Sequence, residues 1–328
     1  MKGYLFITKI GIALLPFIII DVLLIILGFS YSAKNETLLK HLADQPIHKN
    51  TIRIAFLGTS RTNLGISPDH IRAGTGLSER SIQIVNLGMD GVSSAAVLPL
   101  VKNVRVPFDY FFIEILPVED LLNDTNVFMS PVKPYQEWDN WLTFLISKEF
   151  ILTKSWELSM FWAGRSPIYF MKCHNNGWTE VKAGKNPLAI EKAKEKWIRF
   201  AHTTFRNQLH EINILNFCAY IKKIFAQDTG RVHFLILPVN GPVKQYQDYV
   251  VRSSHLVSIL KQEFPQSLVI DANSTTQLSA FHTFEFSHLD SENAAGFSFK
   301  IGEMIRDSLF HHGENKNCAL PNRTSCIN

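Results

Sequence analysis

The chain has 328 residues but only four cysteines, Cys173, Cys218, Cys318 and Cys326, and no two of them form a C-x-x-C pair. A zinc site built on paired thiolates is therefore not expected. There is no Lys/Arg run either. The net charge of +4 is spread along the sequence, so nothing traces a phosphate backbone and nucleic acid is excluded as the expected partner. No D-x-D triplet follows an apolar run, which counts against a metal-dependent glycosyltransferase. Repeats and low-complexity tracts are absent, and with 46% hydrophobic residues the chain has ample material for a core. No metal and no organic cofactor is expected.

What the chain does have begins with a long apolar run. Ile10 to Phe29 reads IGIALLPFIIIDVLLIILGF, interrupted by one ionisable residue, Asp21. Twenty helical residues span roughly 30 Å, the thickness of a bilayer core. A secretory signal has a shorter apolar region, so a retained transmembrane anchor over residues 1–31 is expected. Lys2 and Lys9 precede the run, while Lys34, Glu36 and Lys40 nearly offset one another after it. That asymmetry places the N-terminus in the cytoplasm and the rest of the chain outside, in a bacterial periplasm or at the cell surface. Residues 32–50 are polar and read as a linker. Cys318 and Cys326 either close a small loop in a tail at 311–328 or remain free thiols, and Cys218 reads as a buried residue on a helix.

Between linker and tail lie short apolar runs of the kind that form buried parallel strands: Ile52–Leu57, Ile82–Asn86, Tyr110–Ile115, Val232–Leu237 and Leu268–Asp271. Helical or loop segments separate them, which predicts βαβ units and a parallel sheet covered on both faces. A Trp-, Phe- and Pro-rich stretch at about 120–230 reads as a partly helical insertion. Asn186-Pro187 opens one of its helices, with Ile190, Ala193, Trp197 and Phe200 at helical spacing, and a second helix runs from about Gln208 to Ala226. Core packing is the plainer reading of these aromatics.

Three segments carry chemistry. The first strand ends in Gly58-Thr59-Ser60-Arg61-Thr62, a serine held at the carboxyl end of a strand, where open parallel sheets bind ligands. The second runs into Asn86-Leu87-Gly88-Met89-Asp90-Gly91, whose glycines permit close approach of backbone to substrate. Near the far end, Glu285-Phe286-Ser287-His288 precedes the last helix, a spacing that lets a carboxylate orient an imidazole. Taken singly, each has a bland alternative: a helix cap, a structural turn, a surface histidine.

In their order along the chain the three segments resemble the blocks of the SGNH/GDSL-like hydrolase superfamily, over most of residues 51–310. The resemblance implies a flavodoxin-like three-layer α/β sandwich with a Ser-His-Asp triad. It assigns Ser60 as nucleophile, His288 as general base and Glu285 to the position of the family's Asp. Gly91, with the N–H of Ser60, would form the oxyanion hole, and Gly88 lies in the same substrate-binding block. Thr59 stands where the family has Asp. The third block reads Ile115-Leu116-Pro117-Val118-Glu119-Asp120 and lacks the Asn that completes the hole. Three consequences are open: another donor such as Arg61 or Asn63 serves, the enzyme is slow, or the site is inactive.

An anchored SGNH domain outside the membrane resembles the D-alanyl-transfer and alginate O-acetylation proteins. That likeness implies esterase or O-acyltransferase action on a cell-surface glycan, with an acyl-bearing glycan or lipid-linked substrate, through an acyl-Ser60 intermediate, beside a membrane-bound O-acyltransferase partner. The competing expectation is a non-catalytic domain that binds glycan or scaffolds a polysaccharide-modification complex.

Overall fold

The computed structural model describes residues 51–88, 94–98, 108–117, 168–184, 186–204, 209–226, 228–241 and 249–310. The expected anchor and linker, the first half of the insertion, Gly91 and the tail with Cys318 and Cys326 lie outside them. Among the described residues, no helix is long and apolar enough to cross a membrane.

The elements follow in chain order as β1 (Ile52–Leu57), α1 (Ser60–Gly65), α2 (Pro68–Thr75), β2 (Ile82–Asn86), α3 (Ser94–Val97) and β3 (Tyr110–Glu114). After them come β4 (Ile168–Cys173), β5 (Thr179–Ala183), α4 (Pro187–Thr204), α5 (Glu211–Phe225), β6 (Val232–Ile236), α6 (Tyr249–Glu263), β7 (Val269–Asp271) and α7 (Ser291–Ile305). Five strands form one sheet in the order β2-β1-β3-β6-β7, every pair parallel. The order is the 2-1-3-4-5 arrangement of doubly wound α/β sheets, in which the chain reverses its direction of travel across the sheet at β1 and β3. Carboxyl ends of the strands, among them Leu57, Asn86, Glu114 and Asp271, therefore line one edge. The end of β1 and the end of β3 meet there side by side, with Leu57 in register with Ile113.

Why these segments make a sheet with two covered faces is plain from their side chains. Successive residues of a strand point to opposite faces, and every residue of β6 is buried, as are all but the first of β1. Ala55, Leu57, Phe111, Ile113, Phe234 and Ile236 pack on one side with Ile214, Phe217 and Ile221 of α5 and Leu256 and Leu260 of α6. Ile54, Phe56, Phe112 and Leu235 pack on the other with Ile71 of α2 and Phe297 and Ile301 of α7. The result is helix, sheet, helix.

The insertion differs from its sequence reading in two respects. Its second helix, α5, belongs to the layer that covers the sheet, because Ile214, Phe217, Cys218, Ile221 and Phe225 form one apolar stripe against it. Secondly, residues 168–183 form an antiparallel hairpin, β4–β5, that the sequence pattern does not announce. The hairpin seals the far end of α1: Trp178 Nε1 donates to the Leu64 carbonyl (2.9 Å), Thr179 Oγ1 donates to Asn63 Oδ1 (2.9 Å), and Asn86 N donates to the Asn176 carbonyl (2.9 Å).

Candidate active site

Ser60 opens α1 directly after β1. Thr59 is the N-cap, its hydroxyl oxygen accepting from Arg61 N at 3.2 Å. Beneath this turn lies Glu114, the last residue of β3, which is 1% exposed. Its carboxylate accepts hydrogen bonds from Thr59 N (2.8 Å), Thr59 Oγ1 (2.9 Å) and Thr62 Oγ1 (2.7 Å). Arg61 Nη1 adds its charge at 3.6 Å. A buried carboxylate is tolerable only when so surrounded, and the partners that satisfy Glu114 are the residues on either side of Ser60. Gly58 follows from the same crowding: a Cβ there would lie 2.1 Å from Thr62 Oγ1 and 2.5 Å from Glu114 Oε2.

The imidazole arrives from the loop before α7. Thr283 and Leu289 bridge in antiparallel fashion and Phe284 N donates to the His288 carbonyl (2.9 Å), closing a tight turn over 284–288. Phe286 at its centre has φ +76°, a left-handed conformation that a non-glycine residue adopts at a cost. The reversal sets Glu285 and His288 facing each other. His288 Nε2 then lies 2.8 Å from Ser60 Oγ, across 228 positions of sequence. His288 Nδ1 contacts Glu285 Oε1 on the other side. Asn240, just after β6, holds the turn in place, its Oδ1 accepting from Thr283 N (2.6 Å) and Thr283 Oγ1 (2.9 Å).

The expected donors sit differently. Arg61 is 3% exposed and its Nη2 donates to the carbonyls of Leu237 (2.8 Å) and Pro238 (3.1 Å) below the site. Asn63 is 4% exposed and engaged by Thr179. Both side chains are buried where α1 meets the sheet and the hairpin, Arg61 donating through Nη2 and Asn63 accepting through Oδ1. The Gly88 N–H donates to Asn86 Oδ1 (2.9 Å). A Cβ on Gly88 would stand 2.3 Å from Asn63 N, so the second block is a packing surface for the α1 backbone. Asn86 completes that clamp, its Nδ2 donating to the carbonyls of Thr62 (2.7 Å) and Ile66 (2.7 Å).

Two further residues touch the site, one that the sequence reading passes over and one that it reads as core. Glu114 is the one charged residue in the apolar run Tyr110–Ile115, and an acid at the carboxyl end of a buried strand is the signal that could have marked it. Trp197, on α4, donates from Nε1 to Glu285 Oε1 at 3.0 Å.

Perturbed ionisations lie in the buried core. Burial pushes the Tyr249 phenol up, against the opposing effect of the Arg61 guanidinium beside it. Burial lowers His233, on β6, to about 4. Burial likewise raises the Cys218 thiol to about 12. A cavity of about 720 Å³ opens between α2, the hairpin and the start of α7, lined by His70, His174, Glu180, Lys182 and Asp290 among others. Among the described residues no group of three or more His, Cys, Asp or Glu side chains is placed to hold a metal ion.

No protein-family model matches the chain, and no curated protein matches it. Among solved structures it is similar to the lipase Lip_vut3 from a goat rumen metagenome, at 13% identity over 77% of this chain and 97% of that chain, with a TM-score of 0.34. A likeness of that size has no bearing on the chemistry of the site.

Proposed function

We propose that the chain is a serine hydrolase or acyltransferase of SGNH type that cleaves ester-linked acyl groups, with Ser60 as nucleophile, His288 as general base and Glu285 as the carboxylate that orients it. One observation carries the reading: Ser60 Oγ lies 2.8 Å from His288 Nε2 while Nδ1 of the same ring meets a buried carboxylate.

With Glu285 accepting from Nδ1–H, the imidazole is held in the tautomer whose Nε2 accepts the Ser60 proton. Ser60 Oγ attacks the ester carbonyl carbon, the carbonyl oxygen gains the electron pair, and the proton passes to Nε2. Collapse of the tetrahedral intermediate breaks the bond to the alcohol, which leaves with the proton from Nε2, and acyl-Ser60 remains. Water or a sugar hydroxyl then attacks the acyl carbon as Nε2 takes its proton, and Ser60 is released with its own proton restored. The Ser60 N–H, first in its helix and without an intrahelical acceptor, supplies one oxyanion donor. Gly91 supplies the second by resemblance. Acceptor and setting follow the resemblance too: a cell-surface glycan outside the membrane, the domain held there by the apolar segment at residues 10–29 and supplied by a membrane-bound O-acyltransferase.

Hydrolysis of p-nitrophenyl acetate by the full-length chain, Ser60→Ala and His288→Ala tests the reading. Turnover by the wild-type chain and loss of about a thousandfold or more in each variant is expected. A wild-type chain with no turnover, or variants equal to it, contradicts the reading. The burial of Arg61 and Asn63 favours one alternative, a domain that binds glycan without catalysis, because it leaves the hole short of a side-chain donor.

A further inference from the structure

We infer that Trp197 is a positioning residue for the Glu285–His288 pair, so that the reactivity of Ser60 depends on how α4 of the insertion docks. The inference rests on the serine-hydrolase reading and adds to it a fourth member that no triad requires.

Among the described residues the Glu285 carboxylate has two hydrogen-bond partners, His288 Nδ1 and Trp197 Nε1, and both reach the same oxygen, Oε1. The indole does more than donate. Its ring stands edge-on to the imidazole, centroids 5.9 Å apart and planes at 71°. Phe200, one turn further along α4, packs edge-on against the indole at 5.0 Å. Lys194 places Nζ 5.5 Å above the ring of Phe286, the left-handed residue between the acid and the base. Ala201 is fully buried with Val239 and Tyr249. Residues 194, 197 and 201 recur at helical spacing, so one face of α4 lies over the turn that carries both Glu285 and His288.

The need for such a clamp follows from the residue at 285. Glutamate has one more rotatable bond than aspartate and can swing its carboxylate away from a neighbouring imidazole. A second donor on Oε1 removes that freedom. Glu285 comes from a short turn with no regular element behind it, and α4 supplies what the turn lacks. The N–H also lies against the carboxylate's charge, where a hydrogen bond is worth more than between neutral groups. Because α4 lies within the insertion, directly after its hairpin, whatever displaces that part of the insertion also removes the indole from Glu285.

Trp197→Phe keeps the aromatic bulk and loses only the N–H. In full-length protein, kcat for p-nitrophenyl acetate is expected to fall about tenfold with KM unchanged, and the acid limb of kcat/KM is expected to move. The low-field proton resonance of His288 Nδ1–H, which needs no substrate, is expected to shift in the same variant. Wild-type kcat together with an unmoved resonance overturns the inference, since packing alone would then explain the indole. Failure of the wild-type chain to hydrolyse any ester overturns the hydrolase reading instead, and the resonance still reports on Trp197. A double-mutant cycle guards against a folding defect. Glu285→Asp withdraws the carboxylate from the indole, so adding Trp197→Phe to it is expected to cost nothing further, and a full additional tenfold loss contradicts the clamp.

Discussion

Glu114 and Thr59 are joined twice, the carboxylate of the first accepting from both the N–H (2.8 Å) and the hydroxyl (2.9 Å) of the second. The strand end β3 thus grips the residue immediately before the nucleophile, and Thr62 two residues after it (2.7 Å). Glu114→Gln removes the charge that faces Arg61 and leaves a buried guanidinium without its counterion. Breaking a buried pair costs about 3 kcal/mol. Urea unfolding should show an unfolding free energy lower by that amount, and kcat should fall with it as the Ser60 turn loosens.

Close approach at the second block gives a separate expectation. A Cβ on Gly88 would sit 2.3 Å from the backbone nitrogen of Asn63, which no side-chain rotation relieves. Gly88→Ala should push α1 from β2 at a cost of about 1–3 kcal/mol. Ester hydrolysis should fall with it, because α1 begins at Ser60. Gly65→Ala, where the nearest atom is Leu289 Cδ1 at 3.4 Å, should be far milder. Thermal unfolding of the two variants checks the contrast.

His233 sets an acid dependence of stability. Its Nδ1 accepts from Leu268 N (3.0 Å) and its ring lies between Tyr110 and Phe112, with centroids 5.4 Å and 4.9 Å away. Protonating it costs that hydrogen bond, and burial lowers it from 6.5 to about 4. A histidine with a depressed folded value is protonated first in the unfolded chain. Its contribution is therefore intact above about pH 6.5, declines as pH falls and levels off below about pH 4, on the order of 3 kcal/mol in all. Unfolding free energies of His233→Gln, measured from pH 7 to pH 4, should fall less steeply than those of the wild-type chain.

Cys218 is fully buried on α5 and its thiol is raised to about 12, chiefly by desolvation. The thiolate is the reactive form. Alkylation at Cys218, followed by peptide mass spectrometry, should be negligible in native buffer and rapid in denaturant.

How much of this was legible in sequence depended on locality. Strand cores such as Ile52–Leu57 and Val232–Ile236 announce themselves by runs that are apolar but for Arg53 and His233, because parallel strands covered on both faces need no polar alternation. Asn186-Pro187 marked the start of α4 by cap chemistry alone. The approach of Ser60 to His288 was expected from the order of three motifs, not from their residues. Contacts made across the sheet edge were not legible. Glu114 lies 54 or 55 positions from the threonine and nucleophile turn it supports, and its role appears only when β3 lies beside β1. Arg61 and Asn63 looked available because sequence does not show that both are buried once α1 packs on the sheet and the hairpin. Trp197 read as core because its helical spacing is the same whether the stripe packs on leucines or on a carboxylate.

The most direct measurement of the central claim needs no knowledge of the natural substrate. Treat the full-length chain with a fluorophosphonate, which forms a stable bond only with an activated serine oxygen, and map the adduct by peptide mass spectrometry. A single adduct on Ser60 is expected in the wild-type chain, with its rate reduced at least a hundredfold in His288→Ala, because that oxygen owes its reactivity to an imidazole 2.8 Å away. An unmodified Ser60 in folded protein, or one that labels equally well without His288, would contradict the account.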